Sequence, residues 1–393
     1  MKVAILHDDF TVCGGAEKLV ALLSSGLNKK GIETEIITFD FRDQLKKIIP
    51  KNLVIKTLNH EKLPNLPIMR QAAFAELNVR DEYDFFIFSG HLSLYAAKIH
   101  TPNLFYCHYV SSIGFKEPKI IDGIQNPIFR HETMSKNFDA LVKALFEKGG
   151  DRYLKYIVEQ RETFSLHGPE LSYGENLKYI QTIATNSAHT SQKLKKACKR
   201  RSLVIYPPVE TSNYGYKKQK GYWISVNRIV PMKRIRLQLV AFSQLPDEKL
   251  YIIGQIENDF YYQALKKIKP PNVHFLGVIG GRDLIQRLSE CRGFIFTAKD
   301  EDFGMSVIEA MASGKAVIAP FEGGLKESVQ DGKVGKLIRN INAKKLAKAI
   351  QNIGKELEKN PEKYRKACTE RARKFDVSIF IEKIKTQIEK HVS

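Results

Sequence analysis

Short apolar runs alternate with amphipathic segments in this chain, and the alternation begins twice. The run "KVAIL" (Lys2–Leu6) has the length and composition of a buried strand, and "ETEIITF" has the same character. The segment between them spaces its leucines along one face of a helix: Leu19, Leu22, Leu23 and Leu27. A strand, a helix and a second strand in this order form a βαβ unit, in which the two strands run parallel. The beginning of the chain therefore predicts an α/β fold.

A second series of strands and helices follows "YPPVETSNYGYKKQKG" (Tyr206–Gly221), whose proline, glycine and polar residues are typical of an interdomain linker. At 393 residues the chain is long enough for two cores. We therefore expect two Rossmann-like parallel-sheet domains facing across a cleft. The first is predicted over 1–208 and the second over 218–375. The amphipathic tail, about 376–393, is expected to pack back on the first domain.

Basic residues exceed acidic ones widely, with 63 Lys and Arg against 43 Asp and Glu and a formal charge of +20. Such an excess favours an anionic partner: nucleic acid, an acidic membrane surface or phosphorylated substrates. Six of the basic residues lie in "SQKLKKACKRRS" (Ser191–Ser202), which is predicted as one helix. That segment is either a solvated face or a contact for anionic lipid headgroups. The stretch 111–177 is predicted to be mainly helical and irregular.

The five cysteines are scattered and form no C-x-x-C pair. This argues against a disulfide framework or a zinc site and favours a reducing, cytoplasmic compartment. The first ten residues turn acidic too soon for a signal peptide, and no apolar run approaches the ~20 residues needed to cross a bilayer. Any membrane contact is therefore expected to be peripheral.

In parallel α/β sheets, ligands bind beyond the carboxyl ends of the strands, and the candidate residues lie in loops at such ends. Gly14 and Gly15 either let a phosphate approach the first helix or form a plain tight turn. Arg228 and Lys233, in "VNRIVPMKR", are either a diphosphate clamp or solvated charges. Gly323–Gly324, in "FEGGLKES", present amides to an anion or form another turn. The first loop lacks the G-x-G-x-x-G spacing of a dinucleotide fingerprint, so no NAD or FAD cofactor is expected.

The segment "KDEDFGMSVIEAMASG" is acidic in a basic chain and carries two carboxylates, Glu301 and Glu309, on either side of a Phe-Gly bend. Carboxylates accept hydrogen bonds from vicinal sugar hydroxyls, so the pair is suited to holding two polyols, one on each side of a phosphate bridge. Ser306 and Glu309 also have the S-x-x-E spacing of a capping box, which explains Glu309 without any ligand. Both interpretations of Glu309 stay open, and they are compatible.

The stretch from "KDEDFG" through "FEGGLKESVQDGKVGKL" resembles the Glu-x7-Glu signature of the family-4 (group 1) retaining glycosyltransferases, which have the GT-B fold. The agreement extends to "NRIVPMKR", "VHFLGVI", "YPPVE", "GGAEKLV" and "YCHYV", so it spans both predicted domains. Among the branches of the family, the combination of "GGAE", "YCH" and "EDFG" looks most like the mannosyltransferases that use GDP-mannose.

The resemblance implies a role for each matching residue. Arg228 and Lys233 would bind the donor diphosphate, Glu309 the nucleotide ribose and Glu301 the transferred sugar. Gly14 and Gly15 would lie against the diphosphate from the first domain, and His108 beside the donor sugar; without the resemblance, His108 is an ordinary strand-end histidine. The backbone lining the sugar and phosphate pocket would come from four consecutive residues: Phe303, Gly304, Met305 and Ser306.

The implied function is the transfer of a hexose to a lipid-linked or glycan acceptor hydroxyl. The hexose that fits the resemblance best is mannose, with GDP-mannose as the donor. The enzyme would act at the cytoplasmic face of the plasma membrane, bound peripherally to anionic lipid. It would retain configuration and need no metal or cofactor, because cationic side chains stabilise the leaving diphosphate. Three alternatives stay open: a UDP-sugar donor, a GT-B epimerase or phosphorylase, and a basic nucleic-acid-binding protein, although no nucleic-acid-binding motif is visible.

Overall fold

The computed structural model describes residues 1–12, 14–43, 45, 49–60, 67–110 and 173–392. Most of the segment predicted as helical and irregular, 111–177, lies outside these residues. The chain divides into two compact units. The first consists of Met1–Asn186, Thr190–Ile205 and Ile381–Ser393, and the second of Ser187–His189 and Tyr206–Phe380.

The first unit is built on a sheet of seven parallel strands in the order β3-β2-β1-β4-β5-β6-β7. Its central strands are continuous apolar runs because both faces of a parallel sheet are covered. The strands are β1 Lys2–His7, β2 Glu33–Thr38, β3 Val54–Thr57, β4 Phe85–Phe88, β5 Asn103–Cys107, β6 Thr182–Thr185 and β7 Leu203–Val204.

Helix α1 (Gly15–Lys29) follows β1 and buries the leucines whose spacing predicted it. The end of α12 (Val377–Val392) belongs to this unit: a Cβ on Gly26 of α1 would lie 2.5 Å from the Ile381 side chain, and Lys30 pairs with Glu382. Small size at position 26 therefore lets the two helices pack closely. The other described helices before the second unit are α2 Pro67–Ala75, α3 Tyr173–Asn176 and α4 Ala188–Cys198.

The second unit is built on six parallel strands in the order β10-β9-β8-β11-β12-β13. Its core includes the fully buried Trp223 of β8. The strands are β8 Tyr222–Val226, β9 Lys249–Ile253, β10 Val273–Gly277, β11 Gly293–Ile295, β12 Val317–Pro320 and β13 Gly335–Ile338. The helices are α5 Ile235–Phe242, α6 Asp259–Ile268, α7 Gly281–Glu290, α8 Met305–Ala312, α9 Leu325–Ser328, α10 Ala343–Lys359 and α11 Arg365–Arg373.

The segment 206–221, predicted as a linker, lies within the second unit. The Tyr206 ring packs against Phe303 and Phe375, with centroids 5.6 and 5.2 Å apart. Tyr216 packs under the charged ends of Lys315 and Arg365. The tyrosines in this segment bury apolar area, which explains why a stretch with turn composition packs against the core of the second unit and does not form an exposed linker.

The basic segment 191–202 does not form one helix. Helix α4 ends at Cys198, and Lys199 has a left-handed backbone with φ +59°. The guanidinium of Arg200 donates to the carbonyls of Leu177 (2.7 Å) and Ile180 (2.6 Å). One of the six charges therefore holds the local backbone together. Among the helices of the described part of the chain, none has both the length and the apolar character needed to span a bilayer.

Candidate functional site

The loop between β8 and α5 carries Lys233 to the carboxyl edge of the second sheet. Lys233 closes a 3-10 turn that begins at Pro231, and its carbonyl accepts a 2.7 Å hydrogen bond from the hydroxyl of Thr297. The Lys233 Nζ lies 2.5 Å from Oε2 of Glu301, in the loop after β11. These side chains are only 15% and 19% exposed, so the pair is largely shielded from water. The structure thus brings together two residues that the sequence singled out separately.

Arg228 lies on the same loop but pairs with a different carboxylate. Its Nη1 is 3.2 Å from both oxygens of Glu257, in the loop after β9, and its side chain is 61% exposed. An exposed pair of this kind contributes little to stability and is easily exchanged for another anion. Arg228 therefore lies at the predicted edge with its guanidinium accessible to a ligand.

Arg234 and Glu322 form a bidentate pair that sequence reasoning missed, with N–O distances of 3.0 and 2.9 Å. Glu322 also accepts a 3.3 Å hydrogen bond from the amide of Asp300, so the pair connects the loops that follow β8, β11 and β12. Arg234 adopts φ +51°, a left-handed conformation that is unfavourable for a side-chain-bearing residue. The ion pair that Arg234 makes with Glu322 holds the loop that carries Glu301, and this contact offsets the cost of the left-handed backbone.

Gly323 and Gly324 lie directly against the backbone of the Glu301 loop. A Cβ on Gly323 would lie 2.2 Å from the carbonyl oxygen of Glu301, and one on Gly324 would lie 2.0 Å from that of Asp302. The Gly324 amide donates a 2.8 Å hydrogen bond to the Glu301 carbonyl. For Gly324 the turn interpretation therefore holds, because its amide is used between the two loops and not offered to an anion.

Helix α8 begins at Met305, and Gly304 precedes it with φ +87° and no side-chain cap. The capping-box interpretation of Ser306 and Glu309 is therefore wrong. Ser306 already lies inside the helix, and its hydroxyl donates to the Val226 carbonyl at the end of β8, 3.2 Å away. The left-handed glycine starts the helix two residues earlier than the S-x-x-E pattern indicates. Phe303 is buried, so only its backbone is available to line a pocket.

Glu309 is buried on α8 and accepts a hydrogen bond from the hydroxyl of Tyr214. Burial and then the neighbouring carboxylate raise the pKa of Tyr214, which keeps the phenol protonated as a donor. Sequence reasoning missed Tyr214 because it lies in the stretch predicted as a linker. The one available signal was the recurrence of tyrosine at 206, 214 and 216 in an otherwise polar segment.

In the first unit, His108 directly follows β5. Its Nε2 is 2.8 Å from the Ser89 hydroxyl beyond β4, and its carbonyl accepts from the amide of Asn186, 2.5 Å away. Burial, followed by the nearby His7, lowers the pKa of His108 to about 3. His108 is therefore a neutral imidazole throughout the physiological range: one ring nitrogen donates a hydrogen bond, the other accepts one, and the ring supplies no charge.

Gly14 and Gly15 lie at the start of α1, where sequence reasoning expected them. The Gly14 amide donates a 2.7 Å hydrogen bond to Oε2 of Glu17 in the first turn of that helix. The other oxygen of Glu17 lies 3.4 Å from Nε2 of His7, the last residue of β1. The glycine turn is thus held by a carboxylate and a histidine that had no assigned role.

Aspartates follow β1 directly, and the first of them has a structural use. The Asp8 carboxylate accepts from the amides of Leu92 (3.2 Å) and Ser93 (2.7 Å). In the described ranges, no group of three or more His, Cys, Asp or Glu side chains is arranged to hold a metal ion.

Residues 210–375 match the family model described as "Glycosyl transferases group 1". This range contains every candidate residue of the second unit, from Arg228 to Gly324. The chain is also 28% identical over 226 residues to an uncharacterized glycosyltransferase, MJ1178, of Methanocaldococcus jannaschii, a match that covers 50% of this chain and 62% of that protein.

A longer match extends over both units. The chain is 24% identical over 404 residues to the alpha-1,3/1,6-mannosyltransferase ALG2 of Dictyostelium discoideum, covering 90% of this chain and 89% of that protein. Among solved structures, the crystal structure of Anabaena HepE in complex with UDP-glucose aligns with a TM-score of 0.69 at 17% identity, covering 99% of this chain and all of the other. At that identity the likeness concerns the fold.

Proposed function

Because this chain belongs to the group 1 glycosyltransferases and has the GT-B fold, we propose that it transfers a mannosyl residue from GDP-mannose to an acceptor hydroxyl. The family uses nucleotide-sugar donors and retains configuration. The choice of mannose is supported by the ALG2 relative, whose match extends over nearly the whole of both proteins.

The observation that carries the proposal is the shielded Lys233–Glu301 pair at the carboxyl edge of the second sheet. A nucleotide sugar presents a dianionic diphosphate next to a ring of hydroxyl groups, so it needs a cation and a hydrogen-bond acceptor side by side. Lys233 and Glu301 provide this combination, and Arg228 adds an exposed guanidinium suited to a second phosphate oxygen.

The remaining roles follow the order of groups along the donor. Glu309 would accept from the ribose hydroxyls, and Glu301 from those of the transferred sugar. The backbone from Phe303 to Ser306 would line the sugar and phosphates, with Gly304 allowing close approach. In the first unit, Gly14 and Gly15 would face the diphosphate at the start of α1, and neutral His108 would hydrogen-bond the sugar.

In the proposed reaction, the bond between the anomeric carbon and the diphosphate oxygen breaks as the acceptor oxygen attacks the same face of the sugar. The acceptor's proton passes to the departing phosphate oxygen. Lys233 and Arg228 stabilise the negative charge that collects on the diphosphate, and the reaction would proceed without a metal ion. Neither carboxylate forms a bond to the sugar in this reaction; Glu309 is buried on α8.

A calorimetric screen of GDP-mannose, UDP-glucose and ADP-glucose tests the donor assignment. We expect GDP-mannose to bind at least tenfold more tightly than the other two. Preference for UDP-glucose would favour the alternative donor, the one bound in the HepE crystal structure. Absence of binding by all three, with the protein folded, would contradict the proposed function.

A lipid-linked acceptor at the cytoplasmic membrane face is proposed from the charge around the end of α4. Four basic residues there are exposed: Lys195, Lys196, Lys199 and Arg201. Each contributes about 1 kcal/mol of attraction near an anionic surface. We expect the protein to float with phosphatidylglycerol vesicles and not with phosphatidylcholine ones. Lys195→Glu/Lys196→Glu should abolish flotation, whereas Lys355→Glu/Lys359→Glu on α10 should not; equal flotation of both variants would contradict this contact.

A further inference from the structure

His7, the last residue of β1, is buried with both ring nitrogens facing hydrogen-bond acceptors. The residue is 5% exposed. Its Nδ1 lies 2.8 Å from the carbonyl oxygen of Ser89, and its Nε2 lies 3.4 Å from a carboxylate oxygen of Glu17. A carbonyl can only accept a hydrogen bond, and so can an ionised carboxylate. Both nitrogens of His7 must therefore carry protons, which makes the ring an imidazolium.

The electrostatics agree with this assignment. Burial by itself disfavours the charged ring, but the hydrogen bond and charge of Glu17, the charge of Asp8 and the Ser89 carbonyl together raise the pKa of His7. Burial likewise opposes ionisation of Glu17, and the bond to His7 still leaves the pKa of Glu17 below its usual value. The two residues stabilise each other in their charged forms.

A second buried histidine in the same unit provides an internal reference. Nδ1 of His100 faces the Ala96 carbonyl at 2.6 Å, but its Nε2 accepts a hydrogen bond from the Val79 amide at 3.1 Å. One donor and one acceptor fit a neutral ring, and burial lowers the pKa of His100. The surroundings of His7 and His100 thus dictate opposite protonation states at the same pH.

The His7–Glu17 pair is connected to the glycine turn. Glu17 contacts His7 through Oε1 and accepts the Gly14 amide through Oε2, 2.7 Å away. We propose that His7 is a positioning residue for the transfer reaction: as a buried imidazolium it orients Glu17, which holds the turn that meets the donor diphosphate. This inference rests on the proposed function for the role of the turn, but not for the charge on His7.

Titration of His7 should make the donor affinity depend on pH. The groups facing His7 are Glu17 on α1, Asp8 beside it, the Ser89 carbonyl beyond β4 and neutral His108 beyond β5, with ring centroids 6.5 Å apart. As pH rises through the raised pKa of His7, Nε2 loses its proton and turns a lone pair toward Glu17. The carboxylate is then repelled and releases Gly14, so the donor should bind more weakly.

The protonation state can be read without any substrate. In the full chain labelled with ¹⁵N-histidine, we expect both His7 nitrogens to show imidazolium shifts at pH 6.5, the ordinary histidine pKa, while His100 at the same pH shows one protonated and one bare nitrogen. His7→Gln identifies the His7 signals. A bare His7 nitrogen at pH 6 would overturn the inference whatever the activity.

The positioning role is tested with Glu17→Gln, whose amide can still accept from Gly14 and can donate to a neutral His7. For the wild type, we expect the Kd for GDP-mannose to rise about tenfold across the His7 titration, and for Glu17→Gln we expect it to stay flat. Glu382→Gln, which removes the ion pair to Lys30 just beyond the other end of α1, should behave as the wild type. A wild-type Kd that does not change across the titration would overturn the role while leaving the proposed function intact. Loss of all nucleotide-sugar binding at every pH would overturn both, with the imidazolium still visible.

Discussion

Lys233 and Glu301 face each other at 2.5 Å although 68 residues separate them in the chain. Both are proposed to bind the donor, Lys233 through a phosphate oxygen and Glu301 through sugar hydroxyls. In the structure each satisfies the other's charge. Donor binding has to replace this ion pair with two new contacts, because neither partly buried charge can be left without a partner.

Replacing Lys233 should affect the rate far more than the fold. We expect Lys233→Ala to lower kcat by about 10²–10³-fold, since one donor to the leaving group is lost. The variant leaves Glu301 without its cation, so some loss of stability is expected, and Lys233→Ala/Glu301→Gln should restore the melting temperature but not the rate. Turnover assays and thermal unfolding of both variants check this. Near-normal turnover of Lys233→Ala would contradict the proposal that Lys233 stabilises the leaving diphosphate.

Replacing Arg228 should affect donor binding without affecting the stability of the fold. Because its pair with Glu257 is exposed, Arg228→Ala should change the free energy of unfolding by less than about 1 kcal/mol. The same variant should abolish turnover if the guanidinium binds the diphosphate. Glu257→Gln is the matched variant, since it frees Arg228 and should leave donor affinity equal or improved. If Glu257→Gln weakens donor binding as much as Arg228→Ala does, the donor site requires the ion pair and not the guanidinium alone.

The sequence was sufficient to predict the fold and the two edges that carry the candidate residues. Apolar runs alternating with helical spacing specify parallel strands, and the prediction of a GT-B fold with two parallel sheets is confirmed. The end of a strand determines where the following loop lies, so the sequence alone places Lys233 and Glu301 at one edge of the sheet. Their roles toward a donor stay predictions.

Pairings between distant side chains could not be predicted in the same way. Arg234 meets Glu322 across 88 residues, and Tyr214 meets Glu309 from a stretch with turn composition. Such contacts depend on rotamers and on how three loops pack, and no periodicity encodes either. The start of α8 was misjudged for a related reason: the left-handed Gly304 begins the helix, a conformation that the S-x-x-E pattern does not reveal.

Tyr214 should control the affinity for the ribose through Glu309. We expect Tyr214→Phe to weaken GDP binding about three- to tenfold, because the carboxylate loses the hydrogen bond that orients it. Discrimination between GDP and 2′,3′-dideoxy-GDP should shrink in the same variant. Tyr216→Phe is the control, since that hydroxyl donates to the Pro361 carbonyl at 3.0 Å. Equal calorimetric affinities for Tyr214→Phe and the wild type would show that the Tyr214 hydroxyl has no role in nucleotide binding.

Gly324 should tolerate no side chain, and the reason is steric. Its φ of −72° suits any residue, but a Cβ would lie 2.0 Å from the Asp302 carbonyl. Gly324→Ala is therefore expected to displace the Glu301 loop, lowering both kcat and the melting temperature. Gly280 has a similar φ of −64° with no atom within 4 Å of its Cβ position, so Gly280→Ala should be neutral. Equal behaviour of the two variants would mean that the loop after β12 can move aside freely.

Glu35, on β2, should make the first unit sensitive to acid. Burial alone would raise the pKa of Glu35, but hydrogen bonds from Lys56, Tyr83 and Lys2 lower it to about 2. A lowered acid pKa contributes stability that is complete above the unfolded value of 4.5 and is lost as pH falls toward about 2. We expect Glu35→Gln to cost on the order of 3 kcal/mol at pH 7 and almost nothing near pH 2.

The control for this prediction lies two residues away on the same strand. Glu33 is 68% exposed and 4.0 Å from Lys2, so Glu33→Gln should change the free energy of unfolding little at any pH. Urea unfolding at pH 7, 4, 3 and 2 compares both variants with the wild type. Since Glu35 pairs with Lys2 on β1 and with Lys56 on the edge strand β3, its protonation should loosen the β3 edge of the sheet first. A Glu35→Gln deficit that stays constant from pH 7 to pH 2 would mean that packing, and not the carboxylate charge, accounts for the loss.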